Sequence, residues 1–97
     1  MAVVYILYSE AYNKYYVGSC DDLASRFHQH LEKVFSKSFT SQVNDWIIYF
    51  TLVNLDYKQA RDIEAHIKRM KSKKYITDLK EYSELSIKLI EKYKSNR

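Results

Sequence analysis

At 97 residues with a formal charge of +4, the chain has the length of one domain, and its composition, 46% apolar and 29% charged, supplies a core and excludes a disordered segment. A single cysteine, Cys20, excludes an internal disulfide framework and a cysteine-based zinc site. The longest uncharged apolar run, Ala2 to Tyr8, is far short of the ~20 residues of a membrane span, and no basic flank with a small-residue cleavage site marks a signal peptide, so a cytoplasmic address is expected.

Two runs rich in Val, Ile and Tyr, Ala2 to Tyr8 and Lys14 to Ser19, flank the polar stretch Ser9 to Asn13 and predict a β-hairpin. If the number of connecting residues is even, Tyr5 and Tyr16 share one face, with Gly18 opposite Tyr5; an odd number would separate them. There is no proline and only this one glycine, so Gly18 needs a local reason, and room for a close approach beside Tyr5 is one. Asp21 or Asp22 caps a helix whose stripe is Leu23, Phe27, Leu31 and Val34, running roughly to Phe35. Ser36 to Asp45 reads as a loop and Trp46 to Leu52 as a third strand. Asp56 caps a second helix with the stripe Ala60, Ile63, Ile67 and Met70. A further amphipathic stretch from about Glu84 to Lys94 carries Leu85, Leu89 and Ile90 or Tyr93. No connection demands a parallel sheet, so the predicted class is α+β, a three-stranded antiparallel sheet flanked by helices. The expectation is one domain over residues 1–97, with 77–97 as a C-terminal helical extension.

The charge is uneven: residues 1–50 carry four Lys/Arg against five Asp/Glu, and residues 51–97 carry twelve against seven. The densest part, with Lys68, Arg69, Lys71, Lys73 and Lys74, attracts a polyanion by counterion release, and it equally fits a solvated helix end. Glu64 lies beside the apolar stripe of its helix. It fits either an ion pair with Lys68 or Arg61, or a metal ligand. Arg26 and His30 sit one helical turn apart. Arg26 fits a pair with Asp22 or a two-point grip on a phosphate, and His30 fits a rim histidine or a proton relay.

Val3-Val4-Tyr5, then Tyr16-Val17-Gly18 eleven residues on, then Asp22-Leu23, Arg26, His30 and a helical Glu64 together resemble the GIY-YIG nuclease superfamily. The similarity is greatest to small stand-alone members related to the N-terminal nuclease domain of the UvrC repair protein, and it covers roughly Ala2 to Ile76. The resemblance implies a three-stranded antiparallel sheet flanked by helices. It implies a DNA endonuclease that hydrolyses a phosphodiester with one divalent cation, Mg²⁺ with Mn²⁺ as a substitute, held by Glu64. In that pattern Arg26 neutralises the scissile phosphate, and Tyr5 acts as general base with Tyr16 in support. His30 relays the proton. A free phenol titrates near ~10, so the base must be acidified by its surroundings. Lys68, Arg69, Lys71, Lys73 and Lys74 would contact DNA, duplex or branched, in a repair-type role, with the oligomeric state open. Val3 stands for the motif's glycine and Val17 for its isoleucine. The downstream asparagine of many members has no counterpart before Asn96, so its role is not carried over. The competing expectation is a non-catalytic nucleic-acid-binding module that uses the basic C-terminal half.

Overall fold

The computed structural model describes residues 1–31 and 45–94, with the side chains of residues 30 and 31 outside that set. The element order is β1 (Ala2–Ser9), β2 (Lys14–Cys20), α1 (Leu23–Leu31), β3 (Ile47–Leu55), α2 (Tyr57–Met70), α3 (Lys73–Glu81) and α4 (Ser83–Lys92). The sheet has the order β2-β1-β3 with both pairings antiparallel, which is the α+β architecture expected. The expected extension of α1 to Val34 and Phe35, and the loop from Ser36 as far as residue 44, lie outside the described residues. Among the described residues no helix is long and apolar enough to cross a membrane.

β1 is the central strand, and its apolar run is explained by burial on both faces. Val4 and Ile6 join Val17, Leu52, Ile63, Ile67, Leu79 and Leu89 in the larger core under α2, α3 and α4. Tyr5 and Leu7 face the other way and pack with Cys20, Trp46, Leu23 and Phe27 in a smaller core under α1. Each fully buried aliphatic side chain contributes about 1.5–3 kcal/mol, so the larger core carries most of the stability and the smaller one mainly fixes the face of the sheet that holds Tyr5. Tyr8, Tyr15 and Tyr49 cluster on the helix-covered side, with ring centroids 4.8 Å apart for Tyr8–Tyr15 and 5.2 Å for Tyr15–Tyr49. Three of the ten tyrosines thus pack against one another.

The hairpin turns through residues 10–13, with Ser9 paired to Lys14. Asn13 takes the left-handed conformation at φ 50°, which asparagine tolerates better than most side chains. Asp45 clamps this turn: it accepts from Ser9 Oγ at 2.6 Å and from the Ala11 amide at 2.9 Å. The even connection gives the register Tyr5 to Gly18 and Leu7 to Tyr16, so the two tyrosines share a face as the hairpin parity predicts. β3 runs three residues past the expected Leu52, and Asn54 at φ 62° absorbs an irregularity where pairing shifts from Leu52 to Leu55.

Asp56 begins α2 with a reciprocal cap, its carboxylate taking the Gln59 amide at 2.7 Å while Gln59 Oε1 takes the Asp56 amide at 3.2 Å. Gln59 also donates to the Ile90 carbonyl at 2.9 Å and so ties the start of α2 to α4. The lysine run is where the structure departs most from the sequence reading. Lys71 ends α2 in the left-handed conformation at φ 48°, a position usually given to glycine, and Ser72 caps a further helix, α3, through the Tyr75 amide at 3.1 Å. The run is therefore a sharp joint between two helices. Ile76 and Leu79 of α3 and Leu89 of α4 enter the same core as α2.

Gly18 does not occupy a left-handed backbone conformation; its reason is space. A Cβ built on it would lie against the Tyr5 hydroxyl and 2.5 Å from Tyr5 Cζ. The expected outcome of Gly18→Ala is therefore a loss of about 1–3 kcal/mol in urea unfolding, the usual range for overpacking. Adding Tyr5→Phe should recover only part of it, since Cζ remains in the way. Full recovery in the double variant, or no loss in the single one, would contradict this account of the glycine.

Candidate active site

Three elements deliver the polar groups of the α1-covered face. β1 presents Tyr5, β2 presents Tyr16, and α1 presents Arg26 from the turn after Leu23, which packs on that face. Tyr5 is 1% exposed, and its ring centroid lies 6.4 Å from that of Tyr16 at a tilt of 42°. Trp46 supports Tyr16 from below, centroid to centroid 6.3 Å. Burial pushes the Tyr5 phenol far above the ordinary range and the neighbouring Tyr16 phenol adds to this; the Arg26 guanidinium, donating a hydrogen bond to Tyr5, opposes both. The Cys20 thiol on the same face is likewise raised by burial and pulled back by Arg26. The Arg26 guanidinium thus acts on both the phenol and the thiol buried on this face.

Glu64 arrives from the other side. Tyr15, Val17 and Ser19 point opposite to Tyr16, Gly18 and Cys20 along β2, and α2 packs against that opposite face. Because β2 is an edge strand, a side chain of α2 can reach its open margin. There Ser19 Oγ donates to Glu64 Oε1 at 2.5 Å, and the Lys68 ammonium pairs with Oε2 at 2.7 Å. Lys68 Nζ also lies 5.9 Å from the centre of the Tyr16 ring. Lys68 therefore links the carboxylate of one face to the phenol of the other.

Among the described residues Glu64 pairs with Lys68 and not with Arg61 or Arg26, so the ion-pair reading is realised in the structure as it stands. This does not close the site to a cation. An i, i+4 pair of this kind contributes only about 0.3–0.5 kcal/mol, and the Lys68 side chain is 51% exposed, so Lys68 is displaced at little cost. The hydrogen bond from Ser19 contributes more, about 1.5–3 kcal/mol for a charged acceptor, and it fixes the carboxylate in place. Among the described residues no group of three or more His, Cys, Asp or Glu side chains stands together. The donor set is all oxygen, one carboxylate and one hydroxyl, with the Glu64 side chain 21% exposed. That suits a hard cation that keeps most of its water, and does not suit zinc.

His30 lies in α1, but its side chain is outside the described residues. The predicted DNA-contacting residues divide. Arg69 Nη2 donates to the Tyr93 hydroxyl at 3.4 Å and Lys74 pairs with Asp78 at 2.9 Å, both away from the site. Lys73 donates to the Asn13 carbonyl at 2.7 Å, joining α3 to the hairpin turn, and Lys71 is exposed at the helix joint. Sequence reasoning did not find Ser19 or the support from Trp46. Ser19 follows the glycine directly, and hairpin parity, which grouped Tyr5 with Tyr16, also turns Ser19 toward the helix bearing Glu64.

Against known proteins, a family model described as the GIY-YIG catalytic domain matches residues 1–76, from β1 to the start of α3. No curated protein and no solved structure matches the chain. The matched span contains Tyr5, Tyr16, Gly18, Arg26 and Glu64, and it includes all three strands of the sheet. The chain belongs to the GIY-YIG catalytic-domain family, whose fold is that of a nuclease acting on nucleic acid.

Proposed function

We propose that the chain is a metal-dependent DNA endonuclease that hydrolyses a phosphodiester bond at the margin of β2, with Glu64 as its carboxylate metal ligand. The observation that carries this reading is the position of Glu64. It is held by Ser19 at an edge strand, and its partner Lys68 reaches the ring of Tyr16, whose neighbours are Tyr5 and, through Tyr5, Arg26. Mg²⁺, or Mn²⁺ in its place, bound by Glu64 supplies Lewis-acid stabilisation of negative charge on the phosphate and the leaving oxygen. The chain's own groups do the rest. Arg26 offers a planar fork to the phosphate oxygens and neutralises charge that grows in the transition state. Lys68, released from the carboxylate, turns its ammonium to the same phosphate.

The two tyrosines divide the proton work, and burial sets the order. Tyr5 was the base preferred on sequence grounds, but its buried phenol holds its proton, which favours a role orienting Arg26 and the attacking water. Tyr16 is half-buried beside the Lys68 ammonium, an arrangement that favours it as the proton acceptor. His30, one turn beyond Arg26, is proposed as the relay to solvent. Residues 77–97 are proposed as a helical extension that completes the core of a single domain.

A second reading, binding without catalysis, is favoured by one observation: the carboxylate is already paired with Lys68. Glu64→Gln separates the two. We expect it to lower Mg²⁺-dependent nicking of supercoiled plasmid by at least about a hundred-fold, the scale of a lost electrostatic catalyst, with duplex affinity unchanged or higher. If wild-type protein binds duplex but never nicks with Mg²⁺ or Mn²⁺, the binding reading replaces this one. For the tyrosines, Tyr16→Phe should lower the nicking rate about a hundred-fold, the scale of a lost general base, and Tyr5→Phe should lower it less. Ultraviolet titration of the phenols supplies the independent check. Tyr5→Phe should delete a group that ionises later than the ordinary ~10, and deletion of an ordinary one would refute the role that burial gives Tyr5.

A further inference from the structure

Beside the site, on the outer flank of β2, lies a cleft of about 340 Å³ that shares only Tyr16 and Lys68 with the catalytic reading. Its walls are the edge of β2 on one side and the joint between α2 and α3 on the other. Val17, Ile67 and Ile76 form an apolar floor, and Lys14, Lys68, Lys71 and Lys73 bring their cationic side chains to it without a carboxylate among the lining residues. The Lys73 ammonium bonded to the Asn13 carbonyl ties the two walls together, and Ser72 is committed to capping α3, so the cleft is formed in advance of any ligand.

The chemistry of this lining is that of a single nucleotide. A volume near the lower end of small-ligand sites admits one planar heterocycle with its sugar, the aliphatic floor receives the base, and Lys14 and Lys71, with Lys68 once it leaves Glu64, meet the phosphates that flank it. A phosphate backbone alone needs the lysines and not the floor. A base that remains stacked in continuous duplex cannot enter, because it would have to leave the helix to reach a recessed apolar surface. Tyr16 and Lys68 belong both to this cleft and to the catalytic arrangement, so the nucleotide held here adjoins the phosphate to be cut.

We infer that this cleft takes an unpaired nucleotide of the DNA strand next to the scissile phosphate, so that the preferred substrate is duplex interrupted by an unpaired base and not continuous duplex. The inference rests on the nuclease reading for its biological sense, but the binding itself needs no metal. It is tested with wild-type protein in EDTA against three DNAs of one length at one salt concentration: continuous duplex, the same duplex with one unpaired 2-aminopurine nucleotide, and the same with an unpaired abasic unit. The unpaired base should bind about ten-fold tighter than continuous duplex, the scale of burying one base face against the apolar floor, and the abasic unit should lose that gain. The 2-aminopurine emission should change on binding. In methyl-resolved NMR spectra, Val17, Ile67 and Ile76 should shift with the unpaired base and stay in place with continuous duplex. Equal affinity for all three DNAs, or a preference that leaves those methyls unmoved, overturns the inference. Plasmid nicking with Mg²⁺ is read separately, so its absence would remove the nuclease reading without touching this result.

Discussion

One side chain straddles two layers of this protein, and the proposed chemistry depends on it. Glu64 is borne by a helix packed on one face of the sheet, yet in the proposed reaction it would serve groups displayed on the other. It can do so only because β2 is an edge and because Ser19, turned toward α2, holds the carboxylate at that margin. Were β2 paired to a further strand, the ladder would wall the carboxylate off from Tyr16. The edge position, often a liability for a sheet, is here what makes a shared site possible.

The remainder of the arrangement follows from how the central strand divides its side chains. β1 is buried on both faces, so alternate residues belong to different cores: Val4 and Ile6 anchor the helices, and Tyr5 and Leu7 build the floor under α1. The larger core places α2 at the height where Glu64 meets Ser19. The smaller one holds Tyr5 over Gly18 and within reach of Arg26. A rigid aromatic pair then supports one guanidinium on one side of the edge, while an easily broken ion pair waits on the other. That contrast suits a site in which the arginine must stay put and the carboxylate must exchange its lysine for another cation.

Much of this was legible in the sequence, for reasons that can be named. The three strands declare themselves by β-branched and aromatic runs, whereas the facing of Tyr5 and Tyr16 was legible only as one of two parities until the register Ser9 to Lys14 showed the connection to be even. The sole glycine signals a close approach because it falls within a strand run and not in a turn. α3 was not legible: it begins inside a lysine run, its buried residues are only Ile76 and Leu79, and Lys71 occupies the left-handed turn where glycine would have announced a helix end. The link through Lys68 was visible only as one of two uses for Glu64, since spacing shows that an ion pair is possible and not that its cation also reaches an aromatic ring on the other face. The gradation between the two tyrosines needed burial, which the hairpin pattern cannot supply.

The central claim, that Glu64 is the cation ligand at the margin of β2, is tested most directly by Mn²⁺ titrated into isotopically labelled protein. Paramagnetic broadening should appear first at the amides of Gly18, Ser19, Glu64 and Lys68 and vanish in Glu64→Gln. Broadening centred instead on the exposed Asp21 and Asp22, or unchanged by the Glu64 substitution, would contradict the account.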